Sequence, residues 1–247
     1  MRSPISEVFS SIQGEGLYVG RRQIFIRFAG CNLSCAYCDT IESRSGKVKY
    51  CNIEVKPGSA QYRQLPNPLS VEDLLDNIVD LLEFPHHSVS LTGGEPLLYH
   101  HFVRETGKRL KEKEQLIYLE TNGTLPDRLA EVLPYVDIVS MDVKLPTHTG
   151  KSYWAEHKEF LNIARRKEVF VKIVVSASSP VEEIREAINL VAGVDYNIPL
   201  VLQPVTPVRE EMDRCPGKWL MYLQDMALEK LAQVSVIPQT HRLVGVK

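Results

Sequence analysis

Three cysteines that lie close together in the sequence are the residues best suited to chemistry. Cys31, Cys35 and Cys38 are spaced C-x3-C-x2-C, and the aromatic residue Tyr37 precedes the third cysteine. Three thiolates can hold three irons of a [4Fe–4S] cluster, which leaves the fourth iron without a protein ligand. S-adenosylmethionine (SAM) can bind such an open iron through its amino and carboxylate groups. The spacing therefore predicts an iron–sulfur site with one open coordination position.

Zinc binding and disulfide pairing are the alternatives for these cysteines. A closed zinc site usually needs four nitrogen or sulfur ligands, and the chain has no second C-x2-C motif. A disulfide framework is disfavoured because the cysteine count is five and three of them lie within eight residues. Cys51 and Cys215 stand alone, and we expect them to be free thiols.

The composition is that of an ordinary folded domain. The chain has 247 residues, of which 44% are hydrophobic and 24% charged, and this suits a single domain over residues 1–247. Its net charge of −2 gives no bulk argument for binding nucleic acid or an anionic membrane. The N-terminal residues lack the apolar segment of a signal peptide, and no stretch approaches the roughly 20 apolar residues that span a bilayer. We therefore expect a cytoplasmic protein that binds neither nucleic acid nor membranes.

Short apolar segments rich in β-branched residues alternate with helical patterns. The strand patterns cover residues 23–28, 87–92, 116–120, 136–141, 169–175, 200–203 and 234–237, and the helical patterns cover residues 71–83, 102–113, 126–133, 153–166, 181–192 and 219–231. This alternation predicts an α/β fold with a parallel sheet covered by helices. With about seven strands, an incomplete (partial) (β/α) barrel is favoured over a flat doubly wound sheet. Residues 41–68 interrupt the alternation, and we expect a long loop or a small insertion there.

Polar strings follow several predicted strands at their carboxyl ends, where α/β sheets bind ligands. They are residues 92–96 (TGGEP), 120–123 (ETNG), 140–144 (SMDVK) and Gln203. Paired glycines allow a ligand to approach the backbone closely. Each string also has a simpler interpretation: a tight turn for those that contain glycine, and a surface ion pair for Asp142 with Lys144.

The cysteine motif and the TGGEP string together resemble the signature of the radical SAM enzymes. The resemblance implies that Cys31, Cys35 and Cys38 hold a [4Fe–4S] cluster and that the fold is the partial barrel of that superfamily. It implies contacts to SAM from Tyr37, Cys38, Asp39, Gly93, Gly94, Glu95, Glu120, Ser140, Asp142, Lys144 and Gln203. The register within residues 140–144 stays open, because the chain lacks the compact Ser-Pro-Lys string common in the family.

Three further strings, QGEG at residues 13–16, CDT at residues 38–40 and QTH at residues 239–241, resemble the 7-carboxy-7-deazaguanine synthases among these enzymes. The resemblance implies substrate contacts from Ile12, Gln13, Gly14, Glu15, Arg27, Thr92, His241 and Lys247, the last through its α-carboxylate. It also implies that Thr40 is a ligand of Mg²⁺. A mutual salt bridge between Glu15 and Arg27 is the simpler alternative for those two residues.

The resemblance implies a lyase that contracts the ring of 6-carboxy-5,6,7,8-tetrahydropterin to 7-carboxy-7-deazaguanine and releases ammonia, in queuosine or other 7-deazapurine biosynthesis. The radical would come from the cofactor, so no residue is expected to act as a catalytic acid or base. Analogy with the family implies a flavodoxin- or ferredoxin-type electron donor and a homodimer. The alternatives are a glycyl-radical-enzyme activase, which leaves QGEG unexplained, and a non-catalytic iron–sulfur or zinc module, which leaves TGGEP unexplained.

Overall fold

The structure, a computed structural model, describes residues 1–38, 40, 44–206 and 215–247. Its strands are β1 (Arg2–Ser3), β2 (Ile5–Ile12), β3 (Arg22–Phe28), β4 (Tyr50–Glu54), β5 (Tyr62–Pro66), β6 (Leu69–Ser70), β7 (Ser88–Gly93), β8 (Ile117–Thr121), β9 (Ile138–Asp142), β10 (Glu168–Val175), β11 (Leu200–Pro204) and β12 (Val234–Val236). Its helices are α1 (Val71–Asp76), α2 (Val79–Leu82), α3 (His100–Lys111), α4 (Pro126–Val132), α5 (Pro146–Thr149), α6 (Trp154–Ala164), α7 (Val181–Val194), α8 (Gly217–Leu228) and α9 (Thr240–Val244). No helix in these ranges is long and apolar enough to cross a bilayer.

Ten of these strands form one sheet in the order β12-β11-β10-β9-β8-β7-β3-β2-β4-β5. Within this order, the seven strands β12, β11, β10, β9, β8, β7 and β3 are parallel to their neighbours in the series. The next strand, β2, is antiparallel to β3. The first and last strands of this order do not pair with each other, so the sheet does not close. This architecture confirms the predicted α/β partial barrel, and all seven predicted strands are present within two residues of their predicted ends.

The alternation of side chains on β3 illustrates how the sheet separates core from pocket. Ile24, Ile26 and Phe28 are fully buried in the main hydrophobic core. Phe25 and Arg27, which point to the opposite face of the strand, line a pocket. One face of the sheet is therefore stabilised by apolar packing, and the other presents polar groups.

The predicted helix over residues 71–83 is broken into α1 and α2. Its start is as expected, because Ser70 and Asp73 form a capping box. At Asn77 the side-chain amide donates to the Asp73 carbonyl at 2.8 Å, and the Asn77 backbone N–H bonds to the carbonyl of Leu74 instead. The side chain thus competes for the acceptor that a continuous helix would use.

Residues 50–66 form a hairpin of β4 and β5 at the edge of the sheet, within the segment expected to be a loop or an insertion. The buried Glu54 carboxylate fixes it, because it accepts from the Ser10 N–H at 2.8 Å and from the Ala60 N–H at 3.0 Å. The hairpin therefore continues the main sheet by pairing β4 with β2.

Candidate active site

One pocket collects polar side chains from the ends of five parallel strands, from the cysteine loop and from both ends of the chain. From the parallel strands and the residues just after them it draws Thr92, Gly93, Gly94, Glu120, Thr121, Asn122, Asp142, Lys144, Lys172 and Gln203. Residues 12–15 and Gln239, His241 and Lys247 line it as well. Apart from Lys172, the strand residues belong to the strings that the sequence singled out, and the sheet brings together residues that lie up to 235 positions apart.

The three motif cysteines all line this pocket as free thiols. Their loop is held at both sides: the Cys31 N–H donates to the Arg44 carbonyl at 3.3 Å, and the Arg44 guanidinium donates to the Cys35 carbonyl. The Leu33 N–H points at the Cys31 sulfur, 3.4 Å away. Cys51 is buried in the hydrophobic core and Cys215 is half-buried, and neither lines the pocket.

The chemistry of these thiols fits an iron–sulfur cluster. Burial raises the pKa of Cys31 and of Cys35, although Lys144 opposes the effect. Buried thiols of this kind ionise readily once a cation binds them. Three unpaired thiols that face one pocket, with a backbone N–H already directed at one sulfur, therefore match a [4Fe–4S] cluster with three protein ligands.

Asn122 ties the cysteine loop to the end of β8. Its side-chain amide donates to the side-chain oxygen (Oδ1) of Asn32 at 2.9 Å and lies 4.0 Å from the Cys31 sulfur. Its side-chain oxygen accepts from the N–H and the hydroxyl of Thr124, at 3.1 and 2.6 Å. Asn122 thus fixes both its own turn and the cysteine loop.

The glycine pair after β7 provides close access to the backbone. Gly93 has φ +118°, and a Cβ placed there would overlap the backbone of Phe28. Only glycine allows β3 and β7 to approach each other in this way. Gly93 and Gly94 both line the pocket, where their backbone is open to a ligand.

Glu95 and Ser140, two of the predicted SAM contacts, do not line the pocket. The Glu95 carboxylate is fully buried and accepts from the Leu97 N–H, the Thr121 hydroxyl and the Asn122 N–H. Ser140 is buried within β9. In this structure Glu95 therefore joins the loops after β7 and β8, and neither side chain faces the pocket.

Asp142 and Lys144 form a buried pair, not the surface pair considered above. Their side chains meet at 3.0 Å, and Lys144 is 10% exposed. Lys144 also donates to the Tyr37 hydroxyl at 3.4 Å and lies over its ring. Burial alone would lower the pKa of Lys144, but Asp142 raises it well above the usual range. A permanently charged ammonium group therefore sits beside the cysteine loop.

Glu120 joins two predicted substrate contacts. The Thr92 hydroxyl donates to one carboxylate oxygen at 2.6 Å, and the Gln13 amide donates to the other at 2.8 Å. The Glu15 N–H donates in turn to the Gln13 side-chain oxygen at 3.0 Å. Residues 13–15 are thus held against β8 by side-chain hydrogen bonds.

The Q-T-H string near the C-terminus packs on the same segment. The Gln239 amide donates to Glu15 at 2.6 Å, and the Thr240 N–H donates to the Gly14 carbonyl at 2.9 Å. A Cβ at Gly14 would overlap the His241 ring. Both ends of the chain therefore build one wall of the pocket.

Glu15 and Arg27 do not pair with each other. The Lys172 ammonium donates to Glu15 at 2.5 Å, while Arg27 pairs with Glu7 at 2.9 Å. Lys247 also reaches Glu7, at 2.5 Å, and its main-chain oxygen accepts from Ser11. The simpler alternative of a mutual salt bridge is therefore wrong, and each charge has a different partner.

The remaining predicted positions are Thr40, Gln203 and Asp39. The Thr40 hydroxyl lies 3.9 Å from the Cys38 sulfur and lines the pocket. The Gln203 side-chain oxygen is buried in the pocket wall without a hydrogen-bond partner in the part of the chain that the structure describes. Asp39 lies outside the described residues.

The sequence interpretation missed Lys172 and Glu7. Lys172 is 4% exposed and is the one charged residue in the apolar string VFVKIVV (residues 169–175). A lone charge in a strand buried on both faces was the available signal. Glu7 gave no comparable signal, because its partner Arg27 lies on a different strand.

Comparisons with known proteins agree with this geometry. The family model described as the radical SAM superfamily matches residues 25–191. The chain is 43% identical to the 7-carboxy-7-deazaguanine synthase of Geobacter sulfurreducens, over 98% of this chain and 96% of the relative. It is 37% identical to the enzyme of that name from Methanothermobacter thermautotrophicus, over 100% of this chain and 99% of the relative. The crystal structure of QueE from Escherichia coli has a similar fold, with a TM-score of 0.65 at 23% identity, covering 98% of this chain and 95% of that one.

Proposed function

The chain belongs to the 7-carboxy-7-deazaguanine synthases of the radical SAM superfamily, and we propose that its pocket binds 6-carboxy-5,6,7,8-tetrahydropterin next to SAM. The reaction is the radical SAM ring contraction that yields 7-carboxy-7-deazaguanine and ammonia. The observation that supports this pocket best is the meeting of residues 13–15, residues 239–241 and the three cysteines around one cavity.

Cys31, Cys35 and Cys38 hold the [4Fe–4S] cluster in this proposal. When bound, the cluster and SAM supply the one-electron chemistry that removes a hydrogen atom from the substrate. The protein orients SAM through the backbone of Gly93 and Gly94 and through polar side chains of the strand ends, namely Tyr37, Glu120, Asp142, Lys144 and Gln203. The unpartnered oxygen of Gln203 is available to accept a hydrogen bond from a ligand.

The substrate occupies the side of the pocket formed by residues 12–15, Arg27, Thr92 and His241. The Glu15 carboxylate accepts from N–H donors of the 2-amino-4-oxopyrimidine ring. Arg27 binds the substrate carboxylate, since a guanidinium suits that group in size and charge. Buried walls around the reacting atoms exclude water, and no side chain is needed as an acid or a base.

Further features of the proposal rest on the family. Thr40 contributes a ligand to Mg²⁺, which needs few protein oxygens and keeps most of its waters. The α-carboxylate of Lys247 contacts the substrate. A flavodoxin- or ferredoxin-type protein donates the electron, and the enzyme is a cytoplasmic homodimer with one domain over residues 1–247.

An anaerobic assay tests the activity and the substrate together. The cluster is reconstituted, SAM, dithionite and 6-carboxytetrahydropterin are added, and 7-carboxy-7-deazaguanine is measured by mass spectrometry. We expect the product from the unchanged chain and from Cys215→Ala, the control for loss of a thiol outside the pocket, and none from Cys35→Ala. Cleavage of SAM without the deazapurine would refute the substrate assignment.

A further inference from the structure

A chain of alternating charges, buried at both lysines and partly buried at both carboxylates, crosses the pocket from the proposed substrate side to the cysteine loop. Lys172 lies between Glu15 at 2.5 Å and Asp142 at 3.5 Å. Asp142 pairs in turn with Lys144 at 3.0 Å, and Lys144 donates to the hydroxyl of Tyr37. Lys172 is the only member of this chain of contacts that touches carboxylates on both sides of the pocket, and no role has been given to it so far.

Stability alone is a poor explanation for Lys172. Its side chain is 5% exposed, and moving two charges out of water costs about as much as their attraction returns. Replacement of such pairs by apolar residues is often neutral for stability. A buried pair in the wall of a ligand pocket is therefore better explained by what it does to the ligand site.

The contacts of Glu15 leave it ready to accept further hydrogen bonds. One oxygen receives the Lys172 ammonium group and the other receives the Gln239 amide at 2.6 Å. A carboxylate has about four acceptor positions, and residues 1–38, 40, 44–206 and 215–247 fill two of them while fixing the side chain in position. Two neutral N–H groups of a pyrimidinone ring can use both of the other positions only if Glu15 is ionised, because a protonated carboxyl group gives up one of them to its own O–H.

Every charged group around Glu15 bears on that ionisation. Lys172 and His241 favour the charged carboxylate, while burial opposes it. Glu120 and Asp142 lie on neighbouring strands and interact with the same Lys172, and Tyr118 is buried nearby. Burial would raise the pKa of Glu15, but Lys172, Gln239 and His241 lower it to about 2. Lys172 is the largest of the opposing influences, so its removal leaves a desolvated carboxyl group that ionises with difficulty.

We propose that Lys172 is a positioning residue that keeps the Glu15 carboxylate ionised and directed at the N–H donors of the substrate. This inference rests on the proposed function for the identity of the substrate. In this proposal, Glu15 (after β2) and Lys172 (on β10) together recognise the amino-oxo-pyrimidine side of the substrate. SAM binding depends on Lys172 less, because Lys172 lies 2.5 Å from Glu15 but 3.5 Å from Asp142, and Asp142 keeps Lys144 as its partner at 3.0 Å.

The test compares Lys172→Met with Lys172→Arg, in the cluster-loaded enzyme. Lys172→Met keeps the length of the side chain and removes its charge, and Lys158→Met on the exposed face of α6 is the matched control. We expect Lys172→Met to raise KM for the pterin by about 10- to 100-fold at pH 7, as for loss of a charged hydrogen bond. KM should rise further as the pH falls from 8.5 to 6.5, whereas the unchanged enzyme has a flat profile. Lys172→Arg should restore most of the affinity.

A second readout needs no turnover. Burial raises the pKa of Glu95 to about 7, so its protonated carboxyl stretch is a background common to all variants. In infrared difference spectra, Lys172→Met should show one additional protonated carboxyl stretch that is absent from the unchanged enzyme and from Lys172→Met/Glu15→Gln. A pH-independent KM in Lys172→Met, within twofold of the unchanged enzyme, would overturn the proposal. The proposal would also be overturned if Lys172→Met lost SAM cleavage in the absence of substrate as strongly as it lost affinity for the pterin, since that would indicate a general structural role. If the unchanged enzyme makes no deazapurine, the proposed function fails, but the infrared comparison still tests the ionisation of Glu15.

Discussion

His157 makes the stability of the folded chain depend on pH in a way that the structure quantifies. The ring is fully buried in α6 and bonds through Nε2 to the Asn122 carbonyl at 3.1 Å. Burial lowers the pKa of His157 from 6.5 to about 4. The neutral ring, with Nε2–H donating, is therefore the form that the folded state requires.

The sign of the effect follows from proton binding in the two states. Between pH 6.5 and pH 4 the unfolded chain binds a proton at His157 and the folded chain does not, so acid favours unfolding. The stabilising contribution is complete above pH 6.5 and is lost as the pH falls towards 4. For those two pKa values, the linkage relation gives a loss of about 1.4 kcal/mol in unfolding free energy between pH 8 and pH 5.5.

The measurement compares the unchanged chain with His157→Gln in urea unfolding at pH 8, 7, 6 and 5.5. Glutamine can donate an amide N–H to the Asn122 carbonyl but does not titrate. Because both chains contain the same carboxylates, the effect of those groups on the unfolding free energy cancels in the difference between the two chains. We expect the advantage of the unchanged chain over the variant to shrink by about 1.4 kcal/mol across this range. Samples with identical iron content separate this effect from loss of the cluster.

A difference that stays constant from pH 8 to pH 5.5 would refute this reasoning. It would mean that His157 titrates in the folded chain as it does in the unfolded chain, as a solvated ring would. A difference that grows on acidification would reverse the sign and indicate an anionic partner for the protonated ring.

Three further predictions concern the pocket. Gly93→Ala should cost at least about 2 kcal/mol more unfolding free energy in urea than Gly150→Ala, because both glycines have positive φ but only Gly93 would overlap a neighbour; equal costs would refute the close approach of β3 and β7. Asn122→Ala should lower the unfolding free energy by about 2–4 kcal/mol and the iron bound per chain, since it releases the cysteine loop; unchanged iron content would contradict this role. Arg27→Lys should raise KM for the pterin by about 10- to 100-fold without slowing substrate-free SAM cleavage, and an unchanged KM would argue against a carboxylate contact.

The parallel strands were predictable because they are buried apolar segments bounded by turn residues. Residues 169–175 are an example, with six apolar positions out of seven. β2 was not predicted, because Glu7, Ser10 and Ser11 interrupt its apolar pattern. These polar residues have partners far away in the sequence, such as Arg27, Glu54 and Lys247. No local pattern contains that information.

The pocket residues also include some that the sequence predicted and some that it did not. Local spacing predicted the cysteine loop, and position at the strand ends predicted Gly93, Asp142 and Lys144. Neither spacing nor position could predict that the Glu95 side chain turns away from the pocket and holds two loops together, because the sequence does not specify the direction of a side chain. The partner of Glu15 also depends on the sheet, which brings Lys172 on β10 to a segment 157 residues earlier.

The contact between residues 13–15 and residues 239–241 sets the order in which the pocket can be assembled during synthesis. The cysteine loop spans eight residues, and its anchor Asn122 is made by the middle of the chain. The wall around Glu15 is complete only when Gln239 and Thr240 have left the ribosome, 224 residues after Glu15 itself. Contacts of such long range form late in folding. A nascent chain can therefore present its thiols for metal loading well before this wall of the pocket is complete.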